Sequence, residues 1–155
     1  LQGTGAEFVN KPLSLDVDYQ GNLYYTQTGD YFPVHMIIPN FSGDYTTYSS
    51  GFDQLIDDIM DSTLFSNPMD VAVDKDRNIY VVDSTKGDVS VFNTNGKFFK
   101  KAGYASKEDT VSIMNEPVAV TVDQRGVVYV CDQGDGAIYR FKLSNSLDED
   151  LKPED

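Results

Sequence analysis

The stretch PMDVAVDKDRNIYVVDSTKGDVSVF, residues 68–92, decides the fold of this chain. Its apolar runs lie at 71–73, 79–82 and 89–92, separated by clusters of Asp, Asn and Gly. Short β-branched and aromatic runs with turn residues between them are typical of successive antiparallel strands. Asn95-Gly96 then turns the chain toward Phe98, which predicts a fourth strand. The stretch is therefore predicted to form a four-stranded meander.

The same pattern recurs, so the chain is built from repeats. Residues 117–141, PVAVTVDQRGVVYVCDQGDGAIYRF, align with residues 68–92 without a gap. Residues 12–36, PLSLDVDYQGNLYYTQTGDYFPVHM, form a degraded copy in which Gln27 stands at the position of Asp83. The spacing of about 50 residues falls in the range of propellers and repeat arrays. Repeats of four strands without a helical period predict propeller blades.

These repeats resemble the NHL repeat of β-propellers. The shared features are a proline, an alternating Val-Ala-Val-Asp strand, a turn with Gly or Asn, an Ile/Val-Tyr-Val-x-Asp strand, a Gly and a strand ending in Phe. Residues 68–92 and 117–141 match this pattern well, and residues 12–36 match it in part. The resemblance implies an all-β fold of four-stranded antiparallel blades. Since the family most often builds six blades, three would be half of a ring.

We expect one propeller segment over residues 1–144 and an acidic flexible tail over residues 145–155. The blades are predicted at about residues 10–50, 66–104 and 115–143. A closed propeller usually needs at least four blades, so the chain should not close alone. It is predicted to be a piece of a longer propeller, a half-ring completed by another chain, or an open arc with covered ends.

Two further elements are predicted outside the repeats. Residues 5–9 are a candidate strand for the last blade, which shows no fourth strand of its own after residue 143, or alternatively the outer strand of a preceding blade. A short helix is predicted near 51–61, because apolar residues recur there at helical spacing. This helix is interpreted as a cover for one end of the propeller or, alternatively, as a lid or docking element.

Composition limits the classes of partner. The hydrophobic fraction of 40% and aromatic fraction of 12% are those of a packed globular domain. Twelve Lys and Arg against 25 Asp and Glu give a net charge of −13, which disfavours nucleic acid and anionic membranes. Cys131 is the only cysteine, so no internal disulfide can form, and its place in an apolar run predicts a buried thiol. No apolar run approaches the roughly 18 residues of a membrane span.

The acidic residues are better explained by turns than by metal binding. Segments 16–21 and 74–78 are similar to fragments of a calcium loop but lack its spaced ligands and distal Glu. Asp83 and Asp132 are predicted to cap the amides of the loops that follow them. His35 is the only histidine, which excludes a His-rich catalytic metal site within these residues. No catalytic, cofactor-binding or metal-binding residue is predicted, and the ligand-binding residues are left open.

Two main functions are weighed, with a structural repeat unit of a larger surface assembly as a third. The first is a non-enzymatic binding or scaffold module whose loops meet a protein or small ligand. The alternative is a fragment of a propeller enzyme, of the metal-dependent lactone hydrolase or lyase type. Expected partners are a protein, the remainder of the propeller, or a second copy that closes the ring. The resemblance further implies a bacterial extracytoplasmic protein, secreted or the ectodomain of a lipoprotein.

Overall fold

The computed structural model describes residues 11–28, 34–37, 64–104 and 111–142, together with the backbone of 152–153. These residues form eleven β-strands, and none of them lies in an α-helix. The strands are β1 Pro12–Val17, β2 Leu23–Gln27, β3 Val34–Ile37, β4 Pro68–Val73, β5 Ile79–Asp83, β6 Asp88–Phe92, β7 Phe98–Ala102, β8 Pro117–Val122, β9 Val127–Asp132, β10 Ala137–Lys142 and β11 Lys152–Pro153. The predicted helix near 51–61 lies outside the described residues.

Each repeat forms one antiparallel sheet, which we call a blade. Blade 1 has the order β1-β2-β3, blade 2 the order β4-β5-β6-β7, and blade 3 the order β8-β9-β10-β11. Every neighbour in these sheets is also the next strand along the chain, so each blade is a meander. The four-stranded meander predicted from residues 68–92 and the turn at Asn95-Gly96 is confirmed.

The last blade has a fourth strand of its own, which corrects the prediction that it stops after its third. The short strand β11 pairs with the end of β10, with Phe141 opposite Pro153 and Lys142 opposite Lys152. It comes from within residues 145–155, which were expected to form only a tail. Residues 5–9, the other candidate for this place, lie outside the described part of the chain.

The proline that opens each repeat is explained by the pairing of the inner strands β1, β4 and β8. In each blade the register of the inner strand shifts immediately after the proline, at Pro12, Pro68 and Pro117. Proline has no N–H to donate to a ladder, so it is tolerated at the first residue of a strand or at a bulge. The repeated proline therefore marks the entry into a blade.

The blades stand side by side, with the inner strand β4 between β1 and β8. Two apolar cores fill the spaces between them. The core between blades 1 and 2 contains Tyr24, Val34, Met36, Phe65, Val71, Ile79, Val81 and Phe92. The core between blades 2 and 3 contains Ala72, Tyr80, Val82, Val89, Val91, Ala102, Met114, Val120, Val128, Val130 and Phe141. Each large side chain buried in this way contributes about 1.5–3 kcal/mol, so the blades hold one another by their faces. This is the arrangement of β-propeller blades.

Cys131 is exposed on β9, so the prediction of a buried thiol is wrong. Its counterpart at the same position of blade 2 is Val82, which is fully buried against blade 3. The difference arises because blade 2 is followed by another blade in this structure, whereas the same face of blade 3 is uncovered.

Candidate functional site

Carboxylates on the inner strands join neighbouring blades. Asp16 Oδ2 on β1 accepts a hydrogen bond of 2.8 Å from the backbone N–H of Val73 on β4. Asp70 Oδ2 on β4 accepts one of 2.8 Å from Val120 N–H on β8. Asp70 also accepts a hydrogen bond from the hydroxyl of Ser14 on β1. The contacts between β1 and β4 advance together, from Ser14–Asp70 to Asp16–Val73, so these strands run in the same direction. Strand β8 shares this direction, because Ser112 in the loop that enters it donates a hydrogen bond to Gly87 at the entry end of blade 2.

These inner-strand aspartates are therefore used in assembly. The second oxygen of Asp16 accepts the N–H of Val17 at 2.8 Å, and Asp70 Oδ1 accepts that of Val71 at 2.9 Å. Neither aspartate was predicted from the sequence to join blades. The signal was an acidic residue inside an otherwise apolar alternating strand, where a carboxylate needs donors to offset its desolvation.

The turns between the first and second strands of each blade are closed by Asp18, Asp74 and Asp123. In blade 2, Asp74 Oδ1 accepts the N–H groups of Asp76 and Asn78, both at 2.8 Å. Its Oδ2 accepts the hydroxyl of Tyr80 at 2.9 Å. Burial, the nearby charge of Asp74 and this hydrogen bond raise the pKa of Tyr80 above its ordinary value. The predicted role in turn geometry is confirmed for Asp18 and Asp74. It is wrong for Asp16, which was predicted to have the same role but joins β1 to β4.

The same arrangement is repeated in blade 1 and altered in blade 3. Asp18 accepts the N–H groups of Gln20 and Asn22, both at 2.9 Å, and the hydroxyl of Tyr24 at 3.2 Å. In blade 3, Asp123 likewise accepts the N–H groups of Arg125 and Val127, at 2.8 and 3.0 Å. In place of the tyrosine hydroxyl, it receives two side-chain hydrogen bonds from Arg125, at 2.9 and 2.7 Å. The hydrogen bond from the backbone N–H of Val127 and the contacts with Arg125 lower the pKa of Asp123, despite the opposing effect of burial.

At the opposite end, where the inner strands begin, Asp83 gathers two loops. Its Oδ2 accepts the N–H groups of Ser66 and Asn67, at 2.5 and 3.0 Å, in the loop that enters blade 2. Its Oδ1 accepts those of Thr85 and Lys86, both at 3.0 Å, in the loop after β5. The predicted capping of the following loop is confirmed, and the same carboxylate also holds the preceding loop. We call this end of the three blades the entry face.

Asp132 repeats this arrangement in blade 3. It accepts the N–H groups of Asn115 at 2.8 Å and Glu116 at 3.1 Å before the blade, and of Asp135 at 2.9 Å after β9. Burial alone would raise the pKa of Asp132, but these amide hydrogen bonds outweigh it and lower the pKa below its ordinary value. The ionised carboxylate is thus part of the loop structure.

Blade 1 has a glutamine and a histidine at the same place. Gln27, which replaces the aspartate, lies with its Nε2 atom 2.7 Å from Nε2 of His35 on the neighbouring strand. The His35 ring also stacks on Tyr25, with the ring centroids 4.9 Å apart. The one histidine is therefore held by packing and by an amide.

A further buried carboxylate, Asp88, lies near the start of β6. Its Oδ2 accepts hydrogen bonds from Lys101 Nζ at 2.7 Å and from the hydroxyl of Tyr104 at 3.0 Å. Its Oδ1 is buried and has no hydrogen-bond partner in the part of the chain that is described. A buried acceptor of this kind is commonly satisfied by an ordered water. The pair Asp88–Lys101 links β6 to β7 below the surface.

The exposed side chains of the entry face are polar. They belong to the loops that Asp83 and Asp132 hold in place, and they are Ser66, Thr85, Asn115, Glu116, Gln133 and Asp135. Asp135 accepts a hydrogen bond of 2.7 Å from the hydroxyl of Tyr139, and this bond raises the pKa of Tyr139 to about 12. Firmly held loops with exposed amide and carboxylate groups at their tips can recognise a polar ligand or a protein surface.

The described residues contain neither a metal-binding cluster nor a membrane-spanning helix. Among the described residues, no three His, Cys, Asp or Glu side chains lie close enough together to hold a metal ion. Within the same ranges, no helix is long and apolar enough to cross a membrane.

Comparison with known proteins identifies no family for this chain. No protein-family model matches the chain, and no curated protein sequence matches it. A solved structure to which it is similar is the selenomethionine-substituted virginiamycin B lyase from Staphylococcus aureus, with 15% identity and a TM-score of 0.47. The match covers 96% of this chain and 44% of that chain, so this chain spans less than half the length of that structure. A likeness at this level gives no information on activity.

Proposed function

We propose that this chain is a non-enzymatic binding or scaffold module of NHL-type propeller blades, which presents its entry-face loops to a protein or a small ligand. The NHL assignment is supported by the two long motif matches at residues 68–92 and 117–141. The bacterial extracytoplasmic location and the lipoprotein or secreted form belong to the same proposal and are supported by that resemblance.

One observation carries the proposal. At the entry face, the buried carboxylates of Asp83 and Asp132 are occupied by backbone amides, whereas the loops they hold carry exposed polar tips. Chemistry at a carboxylate needs free oxygens or a neighbouring acid or base within reach. Recognition instead needs fixed loops with accessible polar groups, which is what this face offers.

The charge of the molecule indicates what kind of ligand this face accepts. The chain has a net charge of −13, and Glu116 and Asp135 add carboxylates to the exposed tips of blade 3. A ligand with amide or cationic groups meets complementary partners there, whereas a phosphate-rich one is repelled. A peptide with lysine or arginine side chains is the simplest ligand of this kind.

The test is a nuclear magnetic resonance titration of the isotope-labelled chain with a set of short lysine-containing peptides. We expect shift changes at amides of 84–87, 115–116 and 133–136, on the entry face. The turns at 75–77 and 124–126, at the opposite end of the same blades, serve as the internal control. Shift changes centred on those turns, or none with any peptide, would contradict the proposal. Glu116→Gln combined with Asp135→Asn should abolish the entry-face changes.

A further inference from the structure

The inner strand β1 has exposed apolar side chains on the outer face of blade 1, although Tyr25 of β2 on the same face is buried. Leu13, Leu15 and Val17 alternate along β1, and Leu15 is 68% exposed. The residues at the position of Leu15 in the other blades are Val71, 2% exposed, and Val120, 7% exposed. The same strand face is therefore buried twice in this molecule and open once. We call the exposed side chains of Leu13, Leu15 and Val17 the leading face.

The two internal interfaces show what covers such a face. Val71 of blade 2 packs in a core with Tyr24, Val34 and Met36, which come from the opposite face of blade 1. Val120 of blade 3 packs in the same way against the opposite face of blade 2, which supplies Tyr80, Val82, Val89 and Val91. In both cases the cover is the opposite face of the preceding blade.

Blade 3 carries that opposite face, and no blade covers it in the described part of the chain. Cys131 and Ile138 stand at the positions of Val82 and Val89, which are fully buried. Ile138 is 71% exposed and Cys131 is exposed. Thr121 is exposed as well and stands at the position of Ala72, which is buried in the core between blades 2 and 3. We call Thr121, Cys131 and Ile138 the trailing face. One chain thus displays both halves of an interface that it forms internally twice.

We propose that a second copy of this chain occupies these surfaces, with the trailing face of each copy packed on the leading face of the other. A head-to-tail contact of this kind forms a closed ring when the rotation per unit allows it. Two copies of three blades give six, inside the range of four to eight blades in which propellers close. The interface is continuous with the two that already exist in each chain, and this continuity is the reason for choosing a second copy. The inference does not depend on binding at the entry face.

The first measurement is the solution mass of the 155-residue chain by light scattering after size exclusion. We expect twice 17.3 kDa, about 35 kDa. Leu15→Asp should halve the mass, because a charge would be buried in the contact. The matched control is Tyr19→Asp: Tyr19 is 75% exposed, and its counterparts Lys75 and Gln124 are exposed in both other blades. This variant should remain dimeric, and circular dichroism should show that both variants are folded.

A mixing experiment distinguishes the head-to-tail contact from a symmetric one. Ile138→Asp alone should also give a monomer, although Ile138 and Leu15 lie on different blades. An equimolar mixture of the two variants retains one intact pair of faces and should form a dimer again. A contact of leading face on leading face would instead leave Ile138→Asp dimeric and would not be restored by mixing, which would overturn the proposal.

Cys131 reports on the trailing face directly. Its thiol should react slowly with a thiol reagent in the wild-type dimer and rapidly in the Leu15→Asp monomer, although that substitution lies in another blade. A monomeric wild-type chain, a particle larger than two copies, or equal labelling in both proteins would each overturn the inference.

Discussion

The carboxylate of Asp70 on β4 accepts the backbone N–H of Val120 on β8 at 2.8 Å, so a single side chain joins the inner strands of two blades. Asp70 also accepts the hydroxyl of Ser14 on β1 and thereby contacts all three inner strands. Hydrogen bonds to a charged acceptor are among the stronger ones in proteins. The packing of blade against blade is therefore supported by a polar contact as well as by two apolar cores.

Asp70→Ala is expected to destabilise the chain by about 1–3 kcal/mol, because it leaves the N–H of Val120 without its acceptor. The control is Asp76→Ala, which removes an exposed carboxylate paired only with the exposed Lys75. Surface pairs of this kind contribute about 0–1 kcal/mol. Urea unfolding of both variants measures the difference. Equal losses of stability would contradict the joining role of Asp70.

Gly87→Ala should cost more than Gly136→Ala, although both glycines occupy the same repeat position with positive φ, 70° and 63°. Both substitutions pay about 1–2 kcal/mol for the left-handed backbone conformation. A Cβ at Gly87 would also lie 2.8 Å from the carbonyl oxygen of Met114, whereas one at Gly136 meets nothing within 4 Å.

The two glycine variants should be compared by thermal unfolding in the Leu15→Asp background, so that the association of two copies does not affect the result. The Gly87 variant should have the lower midpoint. Equal thermal midpoints would contradict the prediction, because they would show that the loop before blade 3 moves to accommodate the added methyl group without loss of stability.

Acid should destabilise the fold partly through Asp132. Its pKa in the folded chain lies below the ordinary value of 3.8, so the unfolded chain binds the proton more readily. The stabilisation is present above about pH 4 and is lost as the pH falls through the lowered pKa. Asp132→Asn should therefore be less stable at neutral pH and should lose stability less steeply below about pH 4. Urea midpoints across a pH series test this, and parallel curves for the two proteins would contradict it.

Removal of divalent metal ions should leave the unfolding temperature unchanged. The oxygens of Asp18 and Asp74 in the blade turns already accept amide and tyrosine hydrogen bonds. A chelator and added calcium should therefore give the same thermal midpoint by calorimetry. A rise of several degrees on addition of calcium would show that these turns bind the ion after all.

Much of the blade architecture could be predicted from local patterns. Strand alternation, the entry proline and the Asp at the end of the second strand each depend on neighbours within one repeat. They predicted the meander that residues 68–102 form. The fourth strand of blade 3 was missed because its two residues, Lys152–Pro153, carry no apolar alternation and are recognised only by their pairing with β10.

The functions of individual side chains were less predictable. Asp16 was interpreted as a turn residue, and Asp70 was given no role. Their donors, the N–H groups of Val73 and Val120, lie about 50 residues away in the sequence. The exposed loop residues of the entry face were not predicted as ligand-binding residues, because they too come from segments that are distant in the sequence. Which loops meet at one end depends on the parallel alignment of the three inner strands.

The repeated β-meanders of this chain follow from its amino-acid sequence, because alternation and turn chemistry act over a few neighbouring residues. Burial at equivalent repeat positions depends instead on the tertiary structure. Val71 and Val120 are covered by a preceding blade while Leu15 is not, and Val82 is covered by a following blade while Cys131 is not. A side chain is buried only where another blade packs against its face, and the sequence of one repeat does not show whether a neighbouring blade is present.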